Sequence, residues 1–212
     1  IRKKVPFLLP HRKDFVWDKE LYQDLLSQGL AMGLMTSIVS IGTVILQSAI
    51  NQLGTTIISA QVAARRIMSF AVLPITAIAS SITTFISQNF GAEQFQRIKK
   101  GVTIANLLSW VWSVLVAALL FFTSPSITSF ISGSTNPDLI ANASLYLQIS
   151  SCIYPILASL IILRNALQGM GKKLTPLISS FIELFGKIFF VLWIIPHTGY
   201  MGVILCEPLI WI

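Results

Sequence analysis

A chain of 212 residues that is 54% hydrophobic and only 11% charged does not keep itself dispersed in water, since a soluble domain carries about 25% charged residues. A mean hydropathy of +0.77 points the same way, to an integral membrane protein. The net charge of +7 would suggest nucleic acid on a soluble protein. Here the basic residues sit in short segments between apolar runs, the footprint of membrane orientation, and no nucleic-acid partner is expected.

Residues 1–24 form a polar lead-in. "VPFLLPHRKDF" carries two prolines and reads as extended loop, and it holds no long apolar signal core. "DKELYQDLLSQG" reads as a short amphipathic helix capped by Asp18. The chain opens on Ile1 and stops at "PLIWI" inside an apolar segment, and we read it as a piece of a longer protein. From Leu25 to Ala64 there is no charged residue. That stretch exceeds the roughly 20 residues of one spanning helix, and "NQLGTT" (Asn51 to Thr56) divides it as a turn. Six spans follow in residues 25–212: 25–51, 57–90, 101–122, 139–168, 174–196, and a last one from Met201 that is cut short. The apolar runs are continuous, without the alternation of barrel strands, so the fold class is an all-α polytopic helix bundle.

The turn "QNFGAEQFQRIKKG" joins the second and third spans. Gly91 is expected to end the helix in the left-handed conformation, which costs glycine no Cβ clash. "AEQFQRIKK" reads as an interfacial amphipathic turn whose cations meet anionic headgroups. Orientation follows from the basic residues. Arg2, Lys3, Lys4, Arg12, Lys13 and Lys19 lie in the lead-in, Arg97, Lys99 and Lys100 after the second span, and Lys172 and Lys173 after the fourth. These eleven fall on one side, and the opposite loops carry none. Residues 1–24, 91–100 and 169–173 are therefore expected in the cytoplasm.

Few side chains are candidates for chemistry. Glu183 and Lys187, four apart on the fifth span, share a helical face. They read either as a substrate or proton site or as an ion pair locking the helix to its neighbours. Arg65 and Arg66 lie roughly 12–14 Å into the second span, where one faces a cavity or both snorkel outward. Gln47 and Tyr154 are candidate cavity liners or interhelical hydrogen bonders. Pro74 and Pro155 are mid-span prolines, hence hinges or fixed kinks. Arg164, Asn165 and Gln168 close the fourth span, where a cation suits a helix C-terminus. Glu207 in the last span faces a cavity or a helix partner, and "NAS" (Asn142 to Ser144) fits a glycosylation sequon. Cys152 and Cys206 lie in apolar runs as small hydrophobes. His11 and His197 fall on opposite sides of the membrane, and there is no nucleophile set, phosphate loop or metal-ligand cluster. The chain is not expected to be an enzyme or to bind a cofactor or metal.

Gln88-Asn89-Phe90-Gly91-Ala92 followed by "RIKKG" resembles the end of the second helix in the C-terminal lobe of MATE (multidrug and toxic compound extrusion) transporters. "LGTTIISAQVAARRIMSFAVLP", "LIILRNALQGMGKKLTP", "SSFIELFGK" and "GYMGVILCEPLIW" match the same lobe in the same order, over nearly the whole chain. The resemblance implies one lobe of a twelve-helix, two-lobe transporter, preceded by the cytoplasmic inter-lobe segment (residues 1–24), with the N-terminal lobe missing. It also implies a multi-pass protein of the bacterial plasma membrane. Such a protein exports cationic or amphiphilic organic compounds in exchange for protons or sodium ions. Some members hold an acidic residue in the first and fourth helices of this lobe. "GLAMGLMTSIVSIGTVILQSAIN" and "LYLQISSCIYPILASLIIL" contain none, so a sodium site in this lobe does not follow from the resemblance, and if coupling is by protons the carboxylate is expected in the missing one. The alternatives are a lipid-linked oligosaccharide flippase of related fold, expected to show a broader run of cavity-facing cations, and a non-transporting membrane subunit.

Overall fold

The structure, a computed structural model, describes residues 17–212. Most of the lead-in, with His11 and five of its basic residues, lies outside them. Among the described residues there is no strand. Eight α-helices occur: α1 (Lys19–Asn51), α2 (Thr55–Gly91), α3 (Phe95–Ser132), α4 (Pro137–Cys152), α5 (Tyr154–Gly169), α6 (Leu174–Phe189), α7 (Ile195–Thr198) and α8 (Tyr200–Trp211). A π-helical turn, Phe190–Ile194, joins α6 to α7. Pro196 cannot donate the hydrogen bond that an unbroken helix would need there, and the wider turn absorbs the loss. Among the described residues four helical stretches are long and apolar enough to cross a membrane. The α4–α5 pair makes a fifth span bent by 58°, and α8 is a shorter apolar helix. The six expected segments are present.

Their boundaries differ in instructive ways. Asp18 caps α1 as expected, its side chain accepting from the amides of Glu20 and Leu21. The expected amphipathic helix is not separate, however; it runs without a break into the first span as one helix of 33 residues. Helix α3 continues to Ser132, through Pro125, so most of the stretch between the third and fourth expected spans, residues 123–138, is helix rather than loop. Phe95 to Lys100, expected as an interfacial turn, is the first part of α3. The fourth span breaks at Ile153, next to Tyr154 and Pro155.

Helix α1 packs chiefly on α6, and it touches its sequence neighbour α2 only lightly. Helix α2 packs on α3, α4 and α5. The lobe is thus a four-element group with the α1–α6 pair laid against it, and α8 contacts both. The larger apolar core joins Leu46 and Ile50 of α1, Ala64 and Ile67 of α2, Tyr146 and Leu147 of α4, Tyr154 of α5, and Val203 and Ile204 of α8. A second cluster, Ile82, Ile86, Ile98 and Ile162 among others, joins α2, α3 and α5. Close approach there needs Gly169, where an added Cβ would lie 2.8 Å from the Thr83 carbonyl. The Thr83 hydroxyl, 3.1 Å from the Asn165 side-chain oxygen, bonds the same seam. Leu25, Leu34, Val44, Leu107, Val111, Leu115 and Phe122 stay exposed. That is the surface a lipid-facing bundle presents, since lipid demands satisfied backbone but welcomes apolar side chains.

Candidate functional site

The seam between the α1–α6 pair and the α2–α5 side encloses an open cavity of about 410 Å³. Its apolar wall includes Val39, Met68, Val72, Leu157 and Trp211. Its charged wall brings five residues together from four helices: Arg65 (α2), Arg164 (α5), Glu183 and Lys187 (α6), and Glu207 (α8). The 1.5 Å rise per residue places Arg65 roughly 15 Å from the start of α2 and Glu183 roughly 14 Å from the start of α6, about half the thickness of a bilayer core.

The pairing is dense. Lys187 Nζ donates to Glu183 Oε1 at 3.0 Å, the four-residue spacing read from the sequence. Arg164 donates to Glu183 Oε2 at 3.1 Å, and twice to the Ser179 hydroxyl, at 3.1 and 2.7 Å. Tyr146 donates to Glu207 Oε2 at 2.8 Å. Arg65 meets Glu207 Oε1 at 3.5 Å, and Lys187 lies 4.0 Å from the same oxygen. Lys187 is 2% exposed, so its charge rests on these carboxylates rather than on solvent. Gly42 of α1 makes room for it: a Cβ there would sit 3.0 Å from Lys187 Cδ. Pro208, next to Glu207, interrupts the α8 ladder inside the helix.

The other expected site residues are placed variously. Arg66 points away from this cavity and lines a separate cleft with Ile58, Val62 and Ser134. The helical rotation of about 100° per residue separates it from Arg65. Gln47 bonds to Asn51 at 2.9 Å on its own helix, outside the cavity wall. Tyr154 is wholly buried in the larger core, its hydroxyl without a partner among the described residues. Pro74 lies inside the continuous α2, with the Trp112 indole donating to the Ala71 carbonyl at 2.8 Å beside it. Pro155 sits at the 58° bend. Arg164 does more than close a helix, since it ties α5 to α6 through Ser179 and Glu183. Tyr146 and Ser179 were not singled out by sequence; a Tyr and a Ser in apolar helices give no signal until a charge is placed opposite them.

The MatE family model matches residues 31–193. The chain belongs to the MatE family. It is similar to an FAD transporter of Shewanella oneidensis, 27% identical over 71% of this chain and 33% of that protein. It is also similar to the probable multidrug resistance protein YoeA of Bacillus subtilis, 22% identical over 88% of this chain and 40% of that one. This MatE chain thus spans about a third to two fifths of the length of those relatives. Among solved structures it shares the fold of a MATE crystal structure in the bent conformation, with TM-score 0.85, 18% identity, and coverage of 95% of this chain and 45% of that one. It equally shares the fold of a MOP-superfamily transporter from Pyrococcus furiosus described by the words "Reverse polarity of binding pocket suggests different function" (TM-score 0.81, 17% identity, 95% and 46% coverage). The fold class is therefore a multi-pass helical bundle of the MATE type, as the motifs implied.

Proposed function

We propose that this chain is one lobe of a secondary active antiporter that exports small amphiphilic organic compounds in exchange for protons or sodium ions. The observation that carries this reading is the convergence of five charges from four helices on one membrane-level cavity. Charge inside a bilayer is costly and concentrates where cargo or ions pass. A helix bend at Pro155 and a loosely joined α1–α6 pair supply elements that can move. The names of the relatives support small organic cargo, drugs in one case and FAD in the other. The second lobe, which closes the cavity, is proposed to come from the same protein, since the relatives are more than twice as long. Residues 1–24, 91–100 and 169–173 are proposed to lie in the cytoplasm and the protein in the bacterial plasma membrane. Two assays test this. The whole gene should lower drug accumulation in a pump-deficient bacterium, and accumulation unchanged from the empty-vector value would overturn the exporter reading. A cysteine placed at Gln96 should resist an impermeant thiol reagent in intact cells, and strong labelling would reverse the orientation.

A further inference from the structure

The cavity wall holds three cations, Arg65, Arg164 and Lys187, against two carboxylates, Glu183 and Glu207, leaving one positive charge in excess. Both carboxylates are already engaged. Glu183 gives one oxygen to Lys187 and the other to Arg164. Glu207 gives one oxygen to Tyr146 and turns the other toward Arg65 and Lys187. The charge left over is that of Arg65. Among the described residues its one ion-pair contact is the long one, 3.5 Å, and its buried Nε finds no partner.

We propose that this cavity takes an organic anion, a phosphate or carboxylate head on an apolar or aromatic body, with Arg65 as the residue that meets the head. The inference rests on the transport reading and names its substrate class. A guanidinium forks onto phosphate or carboxylate with two parallel N–H donors, and the Arg65 side chain lines the cavity while keeping 27% of its surface exposed. Met68, Val72, Leu157 and Trp211 form the apolar surface on which a hydrophobic body rests. A cationic cargo meets the opposite situation. It would have to pull a carboxylate from bonds of about 3 Å while facing an arginine left without a counter-charge. The sign differs from the cationic cargo that family resemblance implied.

The test uses the protein expressed from its whole gene, purified in detergent. It is titrated by equilibrium dialysis, against protein-free micelles, with two probes of one ring and opposite charge: naphthyl phosphate and naphthylmethylammonium. Naphthyl phosphate should bind saturably and about tenfold or more tighter, the ratio that one charge-assisted hydrogen bond supplies. Arg65→Gln should weaken the phosphate by about tenfold and leave the ammonium probe as tight or tighter. Glu207→Gln should tighten the phosphate, because Arg65 loses its competitor; a purely structural Glu207 would give weaker binding of both probes. Should Glu207→Gln not fold, wild type and Arg65→Gln decide. Farnesyl phosphate carries the same head on a lipid chain. Preference for it beyond its micelle partition assigns a lipid-linked anion, and no preference assigns a soluble one; both keep the inference. Equal affinities, preference for the ammonium, or no saturation by naphthyl phosphate overturns it. Phosphate binding without drug export would retire the exporter reading alone, and drug export with ammonium preference would retire this inference alone.

Discussion

Glu183 carries two opposite charges at once, and that fixes what its loss should do. Neutralising it strands Lys187, whose remaining counter-charge is Glu207 at 4.0 Å, while Arg164 keeps its two bonds to Ser179. Breaking one side of a buried ion pair costs about 3–5 kcal/mol, whereas replacing both partners by matched apolar groups is close to neutral. Glu183→Gln should therefore lower the unfolding midpoint in detergent well below wild type, and Glu183→Gln with Lys187→Met should regain more than half of that loss. A double variant no better than the worse single would refute pairing as the main role and favour direct contact with cargo or ion. The four-residue spacing made this pair legible in the sequence. The wider network was not legible. Arg164 meets Glu183 from 19 residues away and Arg65 meets Glu207 from 142 residues away, distances over which no local pattern extends. Arg65 and Arg66 were adjacent and equivalent on paper; only the helical phase set by packing sends one into the cavity and the other to a different cleft.

The turn after α2 shows what an element's end depends on. Gly91 was expected to take the left-handed position, but it is the last helical residue, and Glu93 is left-handed instead, at φ 55°. The amide of Gln94 bonds the Asn89 carbonyl at 2.8 Å and that of Glu93 bonds the Phe90 carbonyl at 3.1 Å, the paired bonds of a Schellman cap. The turn after α5 repeats it: Lys172 bonds Leu167 and Gly171 bonds Gln168, both at 2.9 Å, with Gly171 left-handed at φ 73°. One cap uses the residue suited to it and the other pays a strain of about 1–2 kcal/mol. Glu93→Gly should therefore raise the unfolding midpoint, offset in part by the greater freedom of glycine in the unfolded chain. Gly171→Ala should lower the folding stability by about 1 kcal/mol. If Glu93→Gly destabilises, the Glu93 side chain is doing something at the membrane surface that outweighs its backbone strain. Turn positions were readable from Gly and charge clusters. Helix ends were not, because the cap is fixed by which carbonyls remain unpaired; and Pro125 did not end α3, since membrane helices tolerate proline.

At the scale of the whole molecule, six apolar segments and their order were written in the sequence, because length and hydropathy alone decide what can cross a bilayer. The seam was not, because it depends on α1 leaving α2 and pairing with α6. That seam leads to the last prediction. On the proposed two-lobe reading, a secondary transporter holds its cargo near the midplane between two repeats and rocks one against the other. Residues 1–212 then supply one wall of the cavity and no opposing surface. The open cavity would leave Arg65, held by its long 3.5 Å contact to Glu207, turned toward lipid, and an arginine wholly unpaired at the bilayer centre costs about 2.5–3.5 kcal/mol on insertion scales. The isolated chain should therefore self-associate or lose stability in membranes. Expressed in a pump-deficient bacterium, the whole gene should lower drug accumulation, while residues 1–212 alone, inserted at matched levels by immunoblot, should leave it at the vector value. Export by the 212-residue chain at the level of the whole gene would show that one wall suffices, and the two-lobe mechanism would fall with it.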